Sequence, residues 1–133
     1  MRYNCALTVD CVLFDGNAVV LIRRSNPPFE GRLALPGGFV EEDETAEAAC
    51  IRETREETGL VIRNLRLVGV YSKPGRDPRG RSVSVAFLAE ADLNNLSAGS
   101  DAAEAMVAAN WREASLAFDH RQIITDALKL KPM

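Results

Sequence analysis

One helical run set between strand-like runs limits what this chain can become. From Ala46 to Thr58 the helix formers Ala, Glu and Arg dominate, Asp43 or Thr45 stands where a cap belongs, and Gly59 suits the position just past the end. Before it, Cys5 to Phe14 and Ala18 to Ile22 are rich in Val and Leu. Asp15-Gly16 breaks them apart, which predicts an antiparallel hairpin. After it come Ile62 to Ser72 and Ser82 to Glu90, the latter alternating Val83, Val85, Phe87 and Ala89 against Ser82, Ser84, Ala86 and Leu88. A weaker strand, Ala103 to Trp111, precedes a last helix from about Asp119 to Leu130, where Ile123, Ile124, Ala127 and Leu128 recur at helical spacing. Strand pairs with one helix in the middle and one at the end predict an α/β fold with a mixed sheet covered by helices on both faces.

Two stretches read as loops. Arg23 to Pro28 holds two prolines, which remove backbone donors, and Leu93 to Ser100 is polar and Gly-bearing. The 133 residues predict one domain, 1–133, and 47% hydrophobic residues suffice for its core. A net charge of −3 gives no reason to expect nucleic acid as a bulk electrostatic partner. Cys5, Cys11 and Cys50 lack zinc or CxxC spacing and read as small core residues. Met1-Arg2-Tyr3-Asn4 leads straight into a strand, and no stretch approaches the roughly eighteen apolar residues of a membrane span, so a cytoplasmic protein with no membrane partner is expected.

The middle helix carries the chemistry. At about 100° per residue, Glu53, Glu56 and Glu57 share one stripe, with Arg52 beside it, and can converge on one point. A solvated Glu-rich surface screened by Arg52 and Arg55 is the plainer reading. Against it, Glu53 and Glu57 are like charges at i,i+4, costing roughly 0.2 to 0.5 kcal/mol without a cation. Hard oxygen ligands of this kind suit Mg²⁺. On the helix alone both readings stay open.

The upstream residues extend the pattern. Gly38, five residues, Glu44, seven residues, then Arg52-Glu53-Thr54-Arg55-Glu56-Glu57-Thr58-Gly59-Leu60 resembles the Nudix box, with Thr54 where an aliphatic residue is usual. The resemblance implies a Nudix-type α/β/α sandwich and cleavage of a nucleoside diphosphate linked to another group. It makes Glu53, Glu56 and Glu57 the ligands of Mg²⁺, with Mn²⁺ as a possible substitute. It makes Arg52 the residue that orients them, and Gly38 the point where backbone approaches metal and substrate. Glu44 would brace the helix. The general base is Glu56 or Glu53 within the box, or Glu104 outside it, where a solvated edge residue is the competing reading.

Substrate recognition is expected in Tyr71 to Arg81, where Lys73, Arg76, Arg79 and Arg81 against Asp77 leave a local charge of +3 in an acidic protein. Two prolines and two glycines shape this loop, so that Arg forks can meet phosphates. It resembles ADP-ribose pyrophosphatases in Pro74, fifteen residues past Gly59, in Arg76-Asp77-Pro78-Arg79-Gly80, and in Leu116-Ala117-Phe118-Asp119-His120. It differs in having Arg81 where His is frequent and Leu33 where Trp is frequent. Arg23 and Arg24 leave a strand beside the proline loop, and one of them, with Arg23 the one chosen, is a candidate phosphate contact; ordinary surface charge is the alternative. His120, the only histidine, reads as a structural hydrogen-bonding group.

These resemblances imply Mg²⁺-dependent hydrolysis of a small nucleotide sugar, ADP-ribose, to AMP and ribose 5-phosphate by a homodimer. Two alternatives stand beside it. One is a hydrolase of ordinary or oxidised nucleoside triphosphates. The other is a non-catalytic ADP-ribose sensor of the kind found in transcriptional regulators, which would need a DNA-binding module that the residues after Asp119 leave no room for.

Overall fold

The computed structural model describes residues 4–99 and 102–131. Its elements run β1 (Ala6–Val12), β2 (Phe14–Asp15), β3 (Ala18–Arg24), β4 (Leu33–Ala34), β5 (Gly37–Phe39), α1 (Ala46–Thr58), β6 (Arg63–Tyr71), β7 (Ser82–Glu90), β8 (Ala102–Ala108) and α2 (His120–Leu128), with a 3-10 turn at Leu93–Asn95. One sheet has the order β5-β1-β7-β6, with β1 and β7 parallel and the other pairs antiparallel. In the second, β3 pairs antiparallel with β2, β4 and β8.

Period-two alternation sends neighbouring side chains into two cores. Val9, Cys11 and Leu13, with Val20, Phe87 and Ala89, meet Ala49 and Cys50 of α1. Val12, Val19, Leu21 and Ala86 point the other way, toward Trp111 and toward Ile123, Ile124 and Ala127 of α2. The sheets therefore lie between the two helices, an α/β/α sandwich with a mixed sheet.

Local signals explain α1. The Thr45 side chain accepts from the Ala48 N–H, and Gly59, in the left-handed region at φ 74°, returns its N–H to the Arg55 carbonyl. Cys50, Thr54 and Thr58 form the buried row at i, i+4, i+8, small enough to bring the helix close to the sheet. Ile51 is exposed, at the edge of the buried face and about 100° around the helix from Cys50.

The expected hairpin is split. Only Phe14 and Asp15 pair with β3, while β1 belongs to the other sheet, beside β7, and is buried on both faces from Val9 to Val12. β8 ends at Ala108, short of Trp111, whose indole fills the core and donates to the Asn17 carbonyl at 2.9 Å. β4 and β5 were not legible as strands, being two and three residues long. Ser100, the end of one expected loop, and Met1 to Tyr3 lie outside the described residues. Among the described residues, no helix is long and apolar enough to cross a membrane.

Candidate active site

The turn Leu35-Pro36-Gly37-Gly38 passes beneath α1 at a distance only glycine permits. A methyl group on Gly37 would lie 2.0 Å from the Val9 carbonyl oxygen, and one on Gly38 would lie 2.5 Å from the Glu53 carboxylate carbon. The freed space is used: the Gly37 N–H donates to Glu57 Oε1 at 2.8 Å.

Arg52 organises the other acids. Its Nε and Nη2 reach the two oxygens of Glu44 at 2.7 and 2.8 Å, Nη1 reaches Glu53 at 2.7 Å and Glu56 at 3.3 Å, and Nη2 also donates to the Phe39 carbonyl at 3.0 Å. The Glu44 carboxylate also accepts from the Glu41 N–H at 2.9 Å, and the Arg52 bonds hold its pKa down at about 2. Glu44 thus ties the loop before the helix to Arg52, as a brace should.

The acidic stripe does not face outward as a whole. Glu56 does, its side chain 47% exposed, but Glu57 is only 8% exposed and sits against the glycine turn. Burial, with the nearby Glu53 and Asp10 charges, pushes the Glu57 carboxyl up to about 8, although the Gly37 N–H and Arg24 pull the other way. Burial, together with the Glu56 and Glu44 charges, also raises Glu53 against the pull of Arg52. Among the described residues, no three acidic, His or Cys side chains close into a ready cage, since protein donors hold these carboxylates apart. The donor set nevertheless fits a hydrated Mg²⁺-like ion, which keeps waters and takes few carboxylates along with substrate phosphates. Two carboxylates disfavoured as anions are what such a cation would relieve.

Glu53, Glu56 and Glu57 line a cavity of about 360 Å³. Arg24, Arg79 and Phe118 line the same cavity, as do Asp10 and His120. Arg79 is fixed by Asp77, whose Oδ2 accepts from Nη2 at 2.8 Å, and its guanidinium lies over the rings of Phe39 and Phe118 at 5.5 and 6.0 Å. Burial works to raise Asp77, but the Arg79 bonds outweigh it and lower its pKa. Arg24 donates to the Pro28 carbonyl at 2.7 Å and lies 5.2 Å from the Phe118 ring centre.

Of the residues expected at the site, Gly38, Glu53, Glu56, Glu57, Arg76 and Arg79 line this cavity, and Arg52 stands behind it. All three side-chain nitrogens of Arg76 are engaged by protein: Nε and Nη2 hold Asp119 at 2.9 and 2.6 Å and Nη1 holds Ser82 at 2.9 Å, so it anchors the loop to the start of α2. Arg23 and Glu104 are outside the lining and pair with each other at 2.7 Å across β3 and β8. Pro74 and Arg81 are outside it too, Arg81 donating to the Ser72 carbonyl.

Asp10 and Phe39 escaped the sequence reading, which held Phe118 only as part of the Leu116-to-His120 stretch. Asp10 had a signal, an acid in the middle of an apolar strand, which burial makes costly without partners. Its partners are Ser84, which donates to Oδ2, and His120, whose Nε2 lies 3.2 Å from Oδ1. Burial tends to raise Asp10, and these two contacts reverse the shift. His120 Nδ1 accepts from the Leu35 N–H at 2.9 Å, so both ring nitrogens are engaged by protein, in keeping with a structural hydrogen-bonding group.

Comparison with known proteins agrees with this geometry. A sequence profile described as the NUDIX domain matches residues 6–127. The chain is 47% identical over 126 residues to an ADP-ribose pyrophosphatase of Methanocaldococcus jannaschii, covering 95% of this chain and 75% of that protein. Among solved structures, it matches the NUDIX domain of Shewanella oneidensis NrtR, complexed with ADP ribose, at a TM-score of 0.89 and 33% identity, over 97% of this chain and 90% of that one. It also matches a bifunctional NMN adenylyltransferase/ADP ribose pyrophosphatase of Francisella tularensis, complexed with AMP and a Mn ion, at a TM-score of 0.84 and 30% identity, over 96% of this chain and 42% of that one.

Proposed function

The chain belongs to the Nudix family as a pyrophosphohydrolase, and on that premise we propose that it splits ADP-ribose into AMP and ribose 5-phosphate with Mg²⁺. The observation that carries this reading is one cavity lined both by Glu53, Glu56 and Glu57 and by Arg24 and Arg79. A diphosphate needs both: cationic side chains against its oxygens, and carboxylates that would hold a divalent cation beside it. When bound, the metal supplies charge neutralisation and a more acidic water.

The chain's own residues do the rest. Glu53 and Glu57 would hold the cation, with Glu56 beside them and Gly38 giving the backbone room. Arg52 keeps Glu53 from swinging away. Glu56 takes the proton from the attacking water, because it faces the cavity and is held only by the long 3.3 Å bond from Arg52 among the described residues. Arg24 and Arg79 orient the diphosphate, Arg79 held by Asp77 so that little is lost in ordering it. The relatives' names support ADP-ribose over other diphosphates.

The test is product identification after incubation with Mg²⁺ and a panel of nucleoside diphosphate derivatives and triphosphates. AMP and ribose 5-phosphate released from ADP-ribose faster than any triphosphate is hydrolysed is the expected result. Faster turnover of triphosphates would replace this reading. The match to the ADP-ribose-bound NrtR domain favours a sensor as the second reading, and tight binding of ADP-ribose with no AMP released would install it. A cytoplasmic setting agrees with three free cysteines. A homodimer agrees with Leu67 and Val70 exposed on β6, a sheet edge, and sedimentation at a single-chain mass of 14.5 kDa would reject it.

A further inference from the structure

We infer that His120 is a positioning residue for the metal-binding carboxylates, acting through the turn that carries Gly37; the inference rests on the hydrolase reading above. His120 opens α2, while Glu57 is near the end of α1, on the other side of the sheets. They are connected by a short series of bonds. Nδ1 accepts from the Leu35 N–H at 2.9 Å, the Pro36 carbonyl accepts from the Cys11 N–H at 2.8 Å, and the Gly37 N–H donates to Glu57 Oε1 at 2.8 Å. Three successive residues are thus held by three different elements, and the last of them aims a carboxylate. With Oε1 held by Gly37, Oε2 is the oxygen left for a cation.

The tautomer follows from the geometry. An Nδ1 that accepts from an amide carries no proton, so the proton sits on Nε2 and points at Asp10 Oδ1, 3.2 Å away. Asp10 is itself held by Ser84. Asp10 therefore orients the ring, and the ring orients the turn. The residues just before His120 act in the same direction. Asp119 takes Arg76 and so fixes the Arg79 loop, while Phe118, at φ 51°, lies beneath the guanidinium groups of Arg24 and Arg79 at 5.2 and 6.0 Å. The start of α2 thereby holds both the glycine turn and the arginines of the site.

Two substitutions separate the two bonds of the ring. His120→Asn keeps an acceptor near the Nδ1 position for the Leu35 amide and gives up Asp10, whereas His120→Gln reaches toward Asp10 and gives up Leu35. Mn²⁺ affinity, measured by electron paramagnetic resonance without substrate, should fall roughly tenfold or more in His120→Gln and much less in His120→Asn. Turnover of ADP-ribose should fall in the same order, with KM changed far less than kcat. Equal losses in the two variants, or wild-type Mn²⁺ affinity in His120→Gln, would overturn the inference. If the variants do not fold, the imidazole ¹⁵N spectrum of the wild-type protein decides: an unprotonated Nδ1 and a protonated Nε2 support it, and the opposite tautomer sinks it. Because the metal and ¹⁵N readouts need no ADP-ribose, a wrong substrate assignment would leave them standing.

Discussion

Gly38 and Glu53 stand so close that a single added methyl group would sit 2.5 Å from the carboxylate carbon. What it would strike is the end of a side chain, which can move. Gly38→Ala is therefore expected to leave stability within about 1 kcal/mol while displacing Glu53, with a rate loss of roughly a hundredfold for a misplacement near 1 Å. At Gly37 the obstacle is the Val9 backbone carbonyl at 2.0 Å, which cannot step aside. Gly37→Ala should cost about 1 to 3 kcal/mol or more in stability. Thermal melts beside initial rates for the two variants check the contrast.

With Glu57 as the proposed metal ligand, metal binding and stability are expected to be coupled. The folded pKa of Glu57, about 8, lies above the ordinary value of 4.5, so folding favours the protonated form. The stability this gives is complete below about pH 4.5 and is lost as pH rises through about 8, with a slope of at most about 1.4 kcal/mol per pH unit in between. Asp10 is shifted downward and acts only at still lower pH, outside this window. The metal-free protein should melt at a lower temperature at pH 8.5 than at pH 5.5. Mg²⁺ or Mn²⁺ should restore the loss at the higher pH and do little at the lower. Calorimetric melts at both pH values, with Glu57→Gln as the variant in which the slope flattens, test this.

Glu56 and Glu104 compete for the role of base. Glu56→Gln keeps the shape and removes the proton acceptor, so the Mg²⁺-dependent rate should drop by roughly 10² to 10⁴. Glu104 is exposed and bound to Arg23, a surface pair worth about 0 to 1 kcal/mol. Glu104→Gln should change kcat by less than about threefold. A loss in Glu104→Gln as large as that in Glu56→Gln would give the role to Glu104.

Among the loop arginines, placement divides the work. Arg79 is half exposed at the cavity with Asp77 steadying it, and its removal should raise KM for ADP-ribose roughly ten- to a hundredfold, the value of a charge-assisted hydrogen bond. Arg81 is outside the lining, and Arg81→Ala should leave KM within about twofold. Steady-state kinetics on the two variants settle the division.

The difference between Arg23 and Arg24 shows where reading a sequence stops. Both leave the same strand, and successive side chains on a strand point to opposite faces. Which one meets the cavity depends on how β3 pairs with β4 and β8, a matter of register that no local pattern carries. The pairing sends Arg23 to Glu104 and Arg24 to the site. The split hairpin has the same origin: the turn at Asp15-Gly16 is local and was legible, but the departure of β1 to lie beside β7 is a choice of partner some seventy residues away.

What the order of residues settles is what short-range geometry can enforce. The caps Thr45 and Gly59 bound α1, the alternation from Ser82 to Glu90 marks β7, and the spacing of Glu53, Glu56 and Glu57 beside Arg52 puts the acids on one stripe of one helix. Folding in three dimensions settles the surroundings that make those acids a site. It buries Glu57 against Gly37, brings Asp10 to His120 and puts Arg24 and Arg79 in one cavity with the acids of α1. Helical and capping contacts span at most a few residues, whereas these meetings depend on sheet register and on two cores packing at once.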